Sequence, residues 1–102
     1  MEFKIFNGYK VFEDGSILSA KSNAPMRFTT TDKGYKLVGL IVNGKQKIYR
    51  VHRLVAHLWL GLVLDSTDQV DHKDNVPSNN WWTNLQIVDA STHNHITNQR
   101  AW

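Results

Sequence analysis

Residues 70–98 read VDHKDNVPSNNWWTNLQIVDASTHNHITN, and the fold and chemistry of the chain turn on them. Asp71 and His72 stand side by side, followed by a loop rich in Asn with one Pro, then Asn84-Leu85, a short apolar run and a segment bearing His93 and His95. A carboxylate, an imidazole and a second imidazole in this order can hold a divalent cation and take a proton from water, the two needs of phosphodiester hydrolysis. Val70 to His72 should form the end of a strand, Asn75 to Asn80 a polar loop, and Asn84 to Val88 a second strand. Asp89 or Ser91 can then cap a helix running through His93 towards Asn98.

Working outward, residues 51–60 change period. Val51, Leu54, Val55, Leu58 and Trp59 recur at spacings of three and four, which predicts an amphipathic helix ending near Gly61. His57 reads as structural there, and the sequence leaves His52 undecided. Upstream, short runs of Phe, Ile, Tyr and Val alternate with turn dipeptides, the pattern of small antiparallel strands. Strands are expected at Tyr9 to Phe12, Ser16 to Ser19, Met26 to Thr29, Tyr35 to Val42 and Lys45 to Val51, with hairpin turns at Asp14-Gly15 and Asn43-Gly44. Leu62 to Gln69 reads as a connector.

Composition bounds the answer. The 102 residues fall in the size range of one domain, and 41% apolar residues with four Trp argue for a packed core. The absence of cysteine excludes disulfides and thiolate-bound zinc, so any metal must sit on His, Asp, Glu or Asn. A net charge of +3 and a pI near 9.3 are compatible with a polyanionic partner. The apolar run Leu58 to Leu64 is too short to span a bilayer, and MEFKIFNGYK lacks the apolar core of a signal peptide, so an intracellular, soluble protein is expected.

Asp71 to Leu85, DHKDNVPSNNWWTNL, resembles the HNH nuclease family, whose site is a strand–loop–strand–helix unit around a metal ion. It is similar to the phage and intron-encoded, homing-endonuclease-like branch, which typically reads DH-x-D-x-N-x-x-N-N-x-x-x-N-L. Tyr49 to Ala56, containing VHRLVA, looks like the segment preceding the core in that branch, and Lys33-Gly34-Tyr35 with the hairpin after it looks like its strand-rich N-terminal module. Trp81 and Trp82 depart from the polar residues relatives often have, and are expected to be core aromatics. The loop also lacks the Gly often found after the second Asp, but Asn75 can adopt the left-handed conformation in its place.

The resemblance implies an α+β fold in one domain, residues 1–102. Residues 1–50 would be a strand-rich, DNA-contacting part, 51–61 a linking helix, and 66–102 the nuclease motif. It implies a metal-dependent DNA endonuclease with His72 as general base, Asn84 orienting it, and Asp71 and His93 as metal ligands, with Asn94 and His95 as lesser candidates for the last position. Oxygen-rich coordination suits Mg²⁺ or Mn²⁺, and imidazole also admits Zn²⁺ or Ni²⁺. Double-stranded DNA is the expected partner, met by Lys33, Lys36, Lys45, Lys47, Arg50, Arg53, Lys73 and Arg100, with monomer and homodimer both open. The competing reading is a DNA-binding protein carrying an inactive site of the same kind.

Overall fold

A computed structural model describes residues 1–88. The elements are β1 (Phe3–Phe6), β2 (Tyr9–Phe12), β3 (Ile17–Ser19), β4 (Thr29–Thr30), β5 (Lys36–Val42), β6 (Lys45–Arg50), α1 (Val51–Leu60), β7 (Gln69–His72) and β8 (Leu85–Val88). A 3-10 turn over Trp82–Asn84 precedes β8. They make three antiparallel sheets, ordered β1-β2-β3, β4-β5-β6 and β7-β8. This is the α+β arrangement expected, with one helix among the described residues.

Turn chemistry explains the hairpins. Asn43 and Gly44 both have positive φ, at 53° and 77°, as a tight two-residue turn requires, and they hold Val42 opposite Lys45. Asn7-Gly8 does the same at 47° and 83°, closing β1 onto β2. Strand β1 adds to the strands expected above: Phe3, Lys4 and Ile5 are all exposed and show no alternation of burial, so nothing in their pattern marks a strand.

The strand expected over Met26 to Thr29 is not formed as such. Pro25 bridges Leu18 and Met26 N donates to Ile17 O, whereas Thr29 and Thr30 pair with Leu37 and Lys36. The segment passes from one sheet to the next within a few residues, and a crossing chain cannot keep one ladder. Asn84, expected to open the second strand of the motif, closes the 3-10 turn instead, and β8 starts at Leu85.

Helix α1 is the hub. Val51, Leu54, Val55 and Ala56 are fully buried against Val11, Ile17, Val38, Leu40, Val70 and Leu85, drawn from all three sheets. Alternation along β5 turns Val38 and Leu40 inward and leaves Ile41 exposed. The helix ends at Gly61, whose φ of 79° lets its N–H reach Ala56 O. His57, half-buried, donates through Nδ1 to Leu62 O at 2.6 Å, the structural role expected of it. Among the described residues no helix is long and apolar enough to cross a membrane.

Candidate nuclease site

Strands β7 and β8 place Asp71 opposite Gln86 and His72 opposite Leu85. Both side chains are largely buried, Asp71 at 6% exposure and His72 at 4%. They nevertheless line a groove of about 950 Å³ together with Lys33, Tyr35, Arg50 and His52. Gln86 Nε2 donates to Asp71 Oδ2 at 3.0 Å, fixing the carboxylate from the neighbouring strand.

His72 Nε2 lies 2.9 Å from Asn80 Oδ1. An amide oxygen can only accept, so Nε2 carries the proton and, in the neutral ring, Nδ1 holds the lone pair. Asn80 is 4% exposed, although in the sequence it is one of several Asn in a polar loop. Its signal was the doubled Asn79-Asn80 in the motif, which carries no role until the loop is folded back onto His72.

What holds Asn80 comes from the N-terminal half. A Cβ added to Gly15, in the β2–β3 turn, would stand 2.8 Å from Asn80 Cβ and 3.1 Å from Val51 Cγ1, so the turn backbone lies directly on Asn80. Next to it, Glu13 O accepts from Trp82 N at 2.9 Å and Glu13 Oε1 from Trp82 Nε1 at 3.3 Å. Trp82 packs on the core as expected. Trp81 is 43% exposed, which corrects its assignment as a core aromatic: the 3-10 turn points only one of the two adjacent indoles inward.

Asn84 organises the loop between the strands. Its Nδ2 donates to Asp74 Oδ1 and Asn79 O, both at 2.9 Å, and its Oδ1 accepts from Asp74 N at 3.2 Å. Lys73 N donates to Asn84 O at 2.7 Å, pinning the residue after His72. Asp74 also accepts from Asn79 Nδ2 and Val76 N, and these hydrogen bonds hold its carboxyl below the usual range. Asn75 does adopt the left-handed conformation, at φ 61°.

The basic residues divide. Lys33 and Arg50 line the groove and are exposed. Arg53 also lines it, but its guanidinium donates to Asp68 O, Leu64 O and Ser66 O at 2.7 to 3.2 Å, which makes it the strut of the 64–68 loop. Lys36 Nζ donates to Thr30 Oγ1, Lys47 Nζ lies over Tyr49, and Lys45 and Lys73 are exposed away from the groove lining. His93, Asn94, His95 and Arg100 lie outside the described residues.

His52, left undecided by the sequence, sits in the first turn of α1 with 6% exposure, its ring centroid 5.1 Å from that of His72. Burial, then repulsion from the His72 ring whenever that ring is protonated, and the positive charges of Arg50 and Arg53, lower its pKa from 6.5 to about 3. It is neutral at physiological pH. Because the folded pKa is depressed, His52 contributes stability above pH 6.5 that is lost as pH falls towards 3. At about 1.4 kcal/mol per unit, roughly 3 kcal/mol should disappear between pH 7 and pH 4. Urea unfolding of the wild type and of His52→Phe at both pH values checks this: the substitution should flatten the dependence, and equal losses would refute the assignment.

Asp71 supplies an oxygen donor of the kind that hard divalent cations take. Among the described residues no three His, Asp or Glu side chains converge on one point. A cation beside Asp71 would therefore complete its shell with water, phosphate oxygens or donors from residues 89–102.

The chain is similar to known proteins along most of its length. The profile of the HNH endonuclease family matches residues 49–95. DNA endonuclease I-HmuI of Bacillus phage SP01 is 39% identical over 93 residues, covering 86% of this chain and 52% of that protein. H-N-H endonuclease F-TflI of Escherichia phage T5 is 35% identical over 94 residues, covering 90% of this chain and 48% of that protein. A solved structure on DNA binding and cleavage by the HNH homing endonuclease I-HmuI superposes with a TM-score of 0.84 at 34% identity, covering 99% of this chain and 60% of the other. The chain thus spans about half the length of the curated relatives it matches. A motif in register, the fold that carries it and relatives aligned along most of this chain's length make it similar to the HNH endonucleases.

Proposed function

We propose that the chain is a metal-dependent endonuclease that hydrolyses a phosphodiester bond of double-stranded DNA. The observation that carries the reading is the His72–Asn80 hydrogen bond beside Asp71, on a groove flanked by Lys33 and Arg50. It leaves Nδ1 as the basic nitrogen of a groove-lining imidazole, and Asp71 lines the same groove.

DNA would lie along the groove with Arg50 and Lys33 on its phosphates. His72 Nδ1 takes a proton from a water, and the water oxygen attacks phosphorus in line with the 3′ oxygen. The bond from phosphorus to the 3′ oxygen breaks, leaving a 5′-phosphate and a 3′-hydroxyl once the leaving oxygen gains a proton from solvent. Asn80 keeps Nε2 protonated so that the lone pair stays on Nδ1, and Asn84 holds the loop on which both depend. When bound at Asp71, with His93 the ligand assigned from residues 89–102, a divalent cation supplies charge neutralisation at the phosphate. One site cuts one strand at a time, so nicking is the simplest outcome.

The experiment is incubation of supercoiled plasmid with Mg²⁺, Mn²⁺ or EDTA. Relaxed or linear product should appear with metal and vanish with EDTA. Asp71→Ala should cut poorly at low metal and recover in part at high metal, as expected of a lost ligand. DNA binding without cleavage under any condition would overturn the proposal in favour of a DNA-binding protein with an inactive site.

A further inference from the structure

The N-terminal half sends a second element to His72, from the side opposite in sequence to Asn80. In the turn between β4 and β5, Thr31 N donates to Tyr35 O at 2.8 Å, Gly34 N to Thr31 O at 2.9 Å, and Tyr35 N to Thr31 Oγ1 at 3.1 Å. Gly34 has φ of 91°, and a Cβ there would touch Pro77 of the nuclease loop at 3.7 Å. This closed turn delivers the Tyr35 ring into the groove, with its centroid 5.4 Å from His52 and 5.9 Å from His72. The two imidazoles are 5.1 Å apart and inclined by 34°, so three rings meet in one offset cluster. The Arg50 guanidinium lies 5.5 Å from the Tyr35 centroid.

A hydrogen bond to Nε2 fixes which nitrogen of His72 is protonated, but leaves the ring able to swing about that bond. Rings packed against its face remove that freedom. His52 makes no side-chain hydrogen bond among the described residues, so its packing against the neighbouring rings is what its side chain offers. We propose that Tyr35 and His52 are positioning residues that set the ring plane of His72 and so aim its Nδ1 into the groove.

This rests on the nuclease reading for its rate consequence, but not for its geometry. Tyr35→Leu removes the ring and keeps bulk, while Tyr35→Phe keeps the ring and loses the hydroxyl. Under single-turnover conditions with Mg²⁺ and a plasmid-derived duplex, Tyr35→Leu should cleave about 10- to 100-fold more slowly, the loss that a misaimed catalytic group incurs. Tyr35→Phe should match the wild type, and the DNA Kd and Tm of both variants should be unchanged. In proton spectra the His72 ring resonances should move in Tyr35→Leu, which loses the ring current, and stay in place in Tyr35→Phe. Equal rates for Tyr35→Leu and wild type, an equal loss in Tyr35→Phe, or a loss that lies in Kd would each overturn the proposal. So would His72 resonances that do not move. If the wild type cuts no DNA, the nuclease reading fails on its own, and NOEs from the His72 ring protons to its neighbours, redirected in Tyr35→Leu and kept in Tyr35→Phe if the rings set its plane, decide the positioning claim.

Discussion

His72→Ala is expected to lower DNA cleavage by about 10²- to 10⁴-fold, the usual contribution of a positioned general base. Binding of DNA, measured in EDTA, should be retained, because Arg50 and Lys33 face the groove independently of the imidazole. The substitution leaves Asn80 Oδ1 buried without its donor, so a fall in stability of about 1–3 kcal/mol should accompany the loss of rate. A Tm measurement separates the two effects: at a temperature where both proteins are folded, the rate deficit must persist. Asn80→Ala should sit between, about 10- to 100-fold slower than wild type, because the imidazole survives but its tautomer is no longer enforced. A His72→Ala protein as active as the wild type would refute the assignment.

Gly15→Ala should be the most damaging small substitution in the N-terminal half. The position has φ of 92°, which costs a residue with a side chain about 1–2 kcal/mol. The added methyl would meet Asn80 Cβ at 2.8 Å and Val51 Cγ1 at 3.1 Å. Val51 is a fully buried residue of α1 and cannot retreat, so Asn80 must, at a packing cost of about 1–3 kcal/mol. Together these should lower Tm by roughly 10–20 °C in a chain of this size. Cleavage should fall as well, well below the melting temperature, because the displaced residue is the one that holds His72 Nε2. Gly44→Ala is the control: its φ is also positive, at 77°, but nothing lies within 4 Å of an added Cβ. It should cost the backbone term alone and leave cleavage unchanged. Equal effects at the two glycines would show that contact with Asn80 is immaterial.

These two substitutions mark where sequence and structure part. Patterning alone made much of the architecture legible. The period of three to four in residues 51–60 and the Gly at 61 define α1, and Asn43-Gly44 between alternating strands defines the β5–β6 hairpin. Asp71 and His72 stand out as site candidates from the spacing of the motif and the segments around it, all of which lie within a short stretch of chain. For Arg53, charge alone does not separate phosphates from backbone carbonyls, since a guanidinium serves both with the same donors, and only the placement of the 64–68 loop brings three carbonyls to it.

Strand β1 and the path of residues 25–30 were illegible for a related reason. An exposed edge strand has no face to pattern, and a segment that crosses between sheets is determined by its partners. What the sequence determined by itself is local: the helix, the tight hairpins, the carboxylate–imidazole pair and the basic balance. Only the tertiary structure decided what packs against that pair. Asn80 under the Gly15 turn and the Tyr35–His52 rings against His72 join residues up to 65 positions apart, whose relation is created by packing around α1 rather than by any spacing along the chain.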